Sequence, residues 1–414
     1  MSEKILIMAV QHQNQKDRTF SSTVDELISL SETAGGTVVH IVTQNRERIH
    51  PATYIGSGKV EEIAQAIDEY DIDLVISNDE LSSGQLRNLS DRFDVRLIDR
   101  SQLILDIFAQ RAHTKEGKLQ VELAQLQYLL PRLRGQGIML SRLGGGIGTR
   151  GPGETKLETD QRHIRKKIDD IKERLTRTVA QREQYRRRRK LNHVFQIAVV
   201  GYTNAGKSTL FNALTDSEAF AEDKLFATLD PITRQLQLPS GFQTLVTDTV
   251  GFLQKLPTTL IAAFKSTLEE ASEADFILHV VDSSHEDQNQ HQETVLDLLK
   301  ELKADNIPML TVYNKIDLLE EELISKLHPN IFMSAFNEED IVRLTHKIEE
   351  VMIEHWPEYT IELTATQGKE LHELEMESIV TSKEFDEETN HYRITGYMAE
   401  DHPLNRLLKG NEND

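Results

Sequence analysis

The stretch Gly201-Tyr202-Thr203-Asn204-Ala205-Gly206-Lys207-Ser208 limits what this chain can fold into more than any other segment does. It follows the apolar run Phe195–Val200 and precedes a helical pattern, Ser208–Leu214. A glycine-rich turn between a buried strand and a helix start belongs to a parallel sheet with helical crossovers. Its glycines let the backbone wrap an anion, and the helix N-terminus and loop amides point at it. Lys207 would neutralise the β- and γ-phosphates of a nucleoside triphosphate. Ser208 would set its hydroxyl on Mg²⁺, with Thr209 next on the same first turn. The turn by itself specifies only that a triphosphate is held.

Four later elements are expected to complete the site. Asp248-Thr249-Val250-Gly251 lies about forty residues on, at a strand end. Asp248 would hold Mg²⁺, and the Gly251 amide would sense the γ-phosphate. Asn314-Lys315-Ile316-Asp317 directly follows the strand pattern Met309–Tyr313. Asp317 can accept two hydrogen bonds from the guanine N1–H and exocyclic amine, which adenine does not offer in that arrangement. Asn314 can bond the other edge of the base, and Lys315 can lie along the ring. An acceptor left unpaired by the wrong base costs on the order of 1–3 kcal/mol, so this tetrapeptide selects GTP. Ser334-Ala335-Phe336 follows the short strand Asn330–Met333, where a backbone amide can meet the guanine oxygen. Between the first two elements, Phe226-Ala227-Thr228-Leu229-Asp230 forms a loop without periodicity. Thr228 is placed to close over Mg²⁺ and the γ-phosphate and to release after hydrolysis. Lys207, Thr228 and Gly251 are the expected catalytic contacts. Ser208, Thr228 and Asp248 are the expected metal ligands. Immediately after Gly251 stands Phe252, whose phenyl ring cannot orient water by hydrogen bonding.

The rest of the 414 residues has room for further domains. The first hundred alternate strand and helix patterns: Ile5–Val10, Ser22–Thr33, Thr37–Thr43, Lys59–Tyr70, Asp73–Ser77, Ser83–Arg92 and Arg96–Asp99. That alternation implies a second parallel α/β domain over 1–112. Its Gly56-Ser57-Gly58-Lys59 lacks the full phosphate-loop spacing and reads as a helix start. Leu119, Leu123, Leu126 and Leu130 form one narrow apolar stripe; Leu157, Ile164, Ile168, Ile171, Leu175 and Val179 form another. The pair predicts an antiparallel helical hairpin over 113–193. Its connection, 134–153, has eight glycines and is expected to lack regular structure. The GTPase domain is expected over 194–356. A small α+β domain is expected over 357–414, built from Thr360–Leu363, Gly368–Glu375, Ser378–Ser382 and His391–Gly396, with a disordered polar end.

Net charge is −21, which taken alone argues against a nucleic-acid partner. Between Arg132 and Lys190, however, 18 lysines and arginines face 7 acids, about +11 locally, leaving about −32 for the remainder. A basic insert in an acidic chain points to an anionic partner. There are no cysteines, so disulfides and thiolate metal sites are excluded. No apolar run reaches bilayer length. The cytoplasm and a monomer are the default expectations.

The five nucleotide elements, in this order, resemble those of the translation-factor-related GTPases. The outer segments narrow the resemblance. Asp99-Arg100-Ser101-Gln102-Leu103-Ile104-Leu105-Asp106-Ile107-Phe108, Glu122-Leu123-Ala124-Gln125-Leu126, and the run from Leu143-Gly144-Gly145-Gly146 to Glu158 resemble the HflX family of bacterial GTPases. The resemblance implies a partner, the large ribosomal subunit with its rRNA, and a role in ribosome splitting and rescue under stress. An ATP-driven RNA-remodelling enzyme and a passive RNA-binding factor are the alternatives. Asn314–Asp317 disfavours the first, and intact Lys207, Ser208 and Asp248 disfavour the second. Phe252 predicts slow intrinsic hydrolysis, with the missing group supplied by a partner or by another residue of the chain.

Overall fold

A computed structural model describes residues 2–142, 156–191, 194–215, 225–226, 231–254, 270–319, 325, 327–400 and 402–405. The chain divides into two compact units. The first comprises 1–180 with 224–229 and 254–265; the second comprises 181–223, 230–253 and 266–414.

In the first unit, β1 (Lys4–His12), β2 (Thr37–Arg46), β3 (Leu74–Ser77) and β4 (Arg96–Asp99) pair in parallel in the order β2-β1-β3-β4. Strand β1 is apolar throughout its centre and buried, as a central strand covered on both faces must be. Helices α1 (Asp17–Thr33), α2 (Ser57–Tyr70), α3 (Ser83–Ser90) and α4 (Arg100–Arg111) follow the strands in turn. Helix α1 starts at Asp17, a turn earlier than the apolar periodicity suggests, and Phe20 on that added turn is buried. Helix α2 begins at Ser57 with Gly56 as its N-cap, so Gly56–Lys59 is a helix start.

The hairpin is formed by α5 (Lys115–Arg142) and α6 (Lys156–Leu191). Leu119 and Leu123 pack with Ile168 and Ile171, flanked by Leu126, Leu130, Ile164 and Leu175, so the two stripes face each other. One expectation fails here: residues 134–142 are helical, not irregular. Gly135 and Gly137 each cost about 1 kcal/mol in a helix, but they sit among arginine, glutamine, methionine and leucine, which propagate it well. Leu143–Gly153 lies outside the described residues.

In the second unit, β5 (Gln196–Gly201), β6 (Ile232–Gln237), β7 (Gln243–Asp248), β8 (Phe276–Asp282), β9 (Met309–Asn314) and β10 (Asn330–Phe332) form one sheet in the order β10-β9-β8-β5-β7-β6. Every pairing is parallel except β6 with β7. Helices α7 (Lys207–Thr215), α8 (Gln288–Glu301) and α9 (Glu338–Ile353) follow β5, β8 and β10. Strand β5 has β7 on one side and β8 on the other, so the chain order reverses at β5. In an open α/β sheet, a crevice opens at the carboxyl end of that strand. A three-stranded antiparallel sheet of β11 (Glu358–Thr364), β12 (Ile379–Asp386) and β13 (His391–Tyr397) follows, with α10 (Gly368–Glu377). Ile379 of β12 joins the core of the six-stranded sheet, which explains why both sheets fall in one unit. The expected disordered end, from Gly410 on, is outside the described residues. Among the described residues, no helix is long and apolar enough to cross a membrane.

Candidate nucleotide site

Gly201–Ser208 emerges from β5 at the reversal point and enters α7. Two hydrogen bonds fix the loop's first half to the other side of the crevice. The Phe252 N–H donates to the Gly201 carbonyl at 3.1 Å, and the Thr203 N–H donates to the Phe252 carbonyl at 2.8 Å. Gly206 has φ +90°, and a Cβ there would sit 2.2 Å from Asn314 Nδ2. No L side chain is accommodated under both conditions.

Lys207 is buried, and its Nζ donates to the Tyr202 carbonyl at 2.7 Å. Burial pushes its ammonium down to about 8, with Asp248 partly opposing the shift. The Ser208 hydroxyl donates to Asp248 Oδ2 at 2.7 Å, so the two candidate metal ligands on separate elements meet. Thr249 fixes the strand end by donating its hydroxyl to the Val199 carbonyl at 2.7 Å. Val250 is buried beside it. Gly251 approaches the loop so closely that a Cβ on it would lie 2.8 Å from Thr203 Cγ2 and 2.9 Å from Lys207 Nζ.

The base-side residues converge on the same loop. The Asn314 side-chain amide donates to the Ala205 carbonyl at 3.0 Å, and its Oδ1 accepts from the Ala335 N–H at 3.0 Å. Asn314 therefore ties the phosphate loop to the Ser334–Ala335 turn. Ser334 is held by its N–H to Asp340 Oδ2 at 2.9 Å. Lys315, in the left-handed region at φ 63°, reaches across to the Asn204 carbonyl at 2.9 Å and to Asp282 Oδ2 at 2.7 Å. Ile316 and Asp317 lie in a 3-10 turn, with Asp317 exposed and open to a ligand. Phe336 is 84% exposed.

Three neighbours were not found from sequence. Asp282 at the end of β8 pairs with Lys315. His291 of α8 stacks on Tyr202 with ring centroids 3.7 Å apart, and His285 lies 4.4 Å from His291. Burial lowers His291 to about 4, so it stacks as a neutral ring near pH 7. These partners lie more than thirty residues from the motifs they support, and no local signal marks them.

Of the expected element Phe226–Asp230, only Phe226 is described. Phe226, at φ 57°, is buried within the first unit with its ring edge-on to Phe108 of α4, centroids 4.4 Å apart. Ala227, Thr228, Leu229 and Asp230 lie outside the described residues. Phe252 is 1% exposed, its ring in the interior.

Comparison with known proteins supplies the family. Residues 21–109 match the family described as GTP-binding GTPase N-terminal, 111–189 match GTP-binding GTPase Middle Region, and 196–315 match 50S ribosome-binding GTPase. A protein of Alkalihalophilus pseudofirmus named GTPase HflX is 52% identical over 98% of this chain and 96% of its own length. The Escherichia coli protein of that name is 42% identical over 89% of this chain and 87% of its own. Among solved structures, a GTP-binding protein from Sulfolobus solfataricus in complex with GDP aligns over 84% of this chain and 99% of its own. It is 21% identical with a TM-score of 0.46, a likeness too loose to assign anything.

Proposed function

The chain belongs to the HflX family of GTPases, and on that premise we propose that it is a conditional switch acting on the large ribosomal subunit. GTP binding and hydrolysis in the second unit would control a basic hairpin that contacts rRNA phosphates, in ribosome splitting and rescue under stress. The observation that carries this reading is the convergence of Lys207, Gly251, Asp248 and the Asn314 strut on one crevice. It is joined by the +11 segment between Arg132 and Lys190. Phosphate contacts by such a segment give affinity that weakens with salt.

Asp317 and the turn amides at Ser334–Phe336 would read guanine. Gly201–Ser208, with Thr209, would hold the phosphates. Ser208 and Asp248 present hard oxygen donors 2.7 Å apart, which suits Mg²⁺. That ion, when bound with Thr228 as a further ligand, would neutralise charge on the β- and γ-phosphates. Lys207 and the Gly251 amide would stabilise charge as water attacks the γ-phosphorus in line. Phe252 contributes no polar group, so the intrinsic rate is slow and the ribosome raises it. The division into 1–112, 113–193, 194–356 and 357–414 and a cytoplasmic monomer belong to the same proposal.

Co-sedimentation of the purified chain with separated subunits, in GTP-analogue and GDP states, tests the proposal. We expect retention on the large subunit in the triphosphate state, lost at high salt. Equal retention in both states, or equal turnover with and without ribosomes, would overturn it.

A further inference from the structure

Thr203 carries a side-chain hydroxyl that the fold has buried without a partner. The residue is 7% exposed, and Oγ1 has no hydrogen-bonding group within reach among the described residues. Buried polar groups are nearly always satisfied, so an exception at the mouth of a reaction site asks for an explanation. Valine has the same shape and would avoid the penalty.

The position of the side chain supplies that explanation. The backbone is immobilised by the N–H bond to the Phe252 carbonyl. Thr203 Cγ2 and Lys207 Nζ lie 2.8 and 2.9 Å from the point where a Gly251 Cβ would stand. Thr203, Lys207 and Gly251 therefore meet closely at the part of the loop read as facing the γ-phosphate. Methyl and hydroxyl share the same Cβ, and a step of about 120° between staggered rotamers carries the hydroxyl to the methyl's place while the methyl takes that of the Cβ hydrogen. The hydroxyl then enters the volume that the methyl now fills.

We propose that Thr203 Oγ1 holds the attacking water, supplying from the chain itself part of what Phe252 cannot. A hydroxyl donates one hydrogen bond and accepts others. It can accept from the water while donating to a γ-phosphate oxygen. The water oxygen forms the new bond to phosphorus. The bond from phosphorus to the β–γ bridging oxygen breaks, and its electron pair leaves with GDP. The water proton passes to a phosphate oxygen, giving dihydrogen phosphate; Thr203 keeps its own proton throughout. This role rests on the reading of Lys207 and Gly251 as γ-phosphate contacts.

The test compares Thr203→Val, Thr203→Ser and Lys207→Ala in the full chain. It measures single-turnover GTP hydrolysis together with affinities for GDP and a non-hydrolysable GTP analogue. We expect Thr203→Val to slow hydrolysis by about 10- to 100-fold, at or below the lower end of the range for losing one positioned catalytic group because Thr203 supplies only part of the positioning. GDP affinity, which involves no γ-phosphate, should stay within about 2-fold, and Thr203→Ser should keep most of the rate because it retains the hydroxyl. Wild-type turnover in Thr203→Val alongside inactive Lys207→Ala would overturn the role of the hydroxyl alone. So would equal losses in Val and Ser, or a matching loss of GDP affinity. Undiminished hydrolysis in Lys207→Ala would overturn the reading of the site on which it rests.

Discussion

The two α/β sheets are built alike, and both send a Gly-Lys sequence from a loop into a helix. In the second unit, that loop leaves the strand where chain order reverses, and two glycines there are compulsory on steric grounds. A Cβ on Gly206 or Gly251 would collide with Asn314 or with Thr203 and Lys207. In the first unit, a Cβ on Gly58 would meet nothing within 4 Å. The strand ends there are closed by the chain's own side chains. Arg100 pairs with Glu26 and donates to Asn78 Oδ1 at 3.3 Å and to the Thr23 carbonyl at 3.2 Å. The Tyr54 hydroxyl donates to Asp79 at 2.6 Å and accepts the Val10 N–H at 3.1 Å. A parallel sheet provides a place for a phosphate. The close approach of two backbones turns that place into a site.

The strongest way to break this comparison is to swap its glycines and lysines. Gly206→Val should abolish GTP binding, a loss of at least about 100-fold at roughly 1.4 kcal/mol per decade, while Gly58→Ala and Lys59→Ala leave it within about 2-fold. Isothermal titration of the three variants decides this, and loss of GTP affinity in Lys59→Ala would reverse the assignment of the two loops.

Next in size is Arg100→Ala. It removes the buried guanidinium that pairs with Glu26 and bonds Asn78 and the Thr23 carbonyl, and should destabilise the first unit by about 3 kcal/mol. GTP affinity in the second unit should hardly change. Denaturant unfolding followed beside GTP binding separates the two effects, and a comparable loss of GTP affinity would contradict this prediction.

A smaller effect concerns acid. His279, buried in β8, has its imidazole lowered by burial to about 4 from 6.5. Between those values the unfolded chain binds a proton that the folded chain refuses, so stability falls as pH drops from about 6.5 toward 4. The full effect is about 3 kcal/mol. His279→Leu should flatten that limb in the second unit and leave the first unchanged; an unaltered acid limb would count against it.

The smallest effect concerns base. Lys207 in the nucleotide-free protein titrates near 8, so GTP affinity should decline above about that pH as binding begins to require proton uptake. Its folded value lies below the unfolded 10.5, so the same group's contribution to nucleotide-free stability rises between 8 and 10.5. Affinity that is flat from pH 7 to 9.5 would contradict the Lys207 contact.

The comparison also shows what the sequence makes legible. Gly206, Lys207, Asp248 and Gly251 can be read directly because their chemistry tolerates few residue types at fixed spacing. The hairpin stripes can be read because α5 and α6 repeat apolar residues every three or four positions. Strand β6 was missed: Ile232–Gln237 is an edge strand with polar residues on its open side, so its pattern is weak. The Asn314 strut and the Tyr202–His291 stack were missed because they join elements far apart in the chain.

Guanine selection by the crevice of the second unit is tested most directly by Asp317→Asn, titrated with GTP and XTP. The account predicts that GTP affinity falls by about 10- to 100-fold, the equivalent of one charge-assisted hydrogen-bonded contact, and that XTP affinity rises in its place. Unchanged GTP affinity with no gain for XTP would show that the base is read elsewhere.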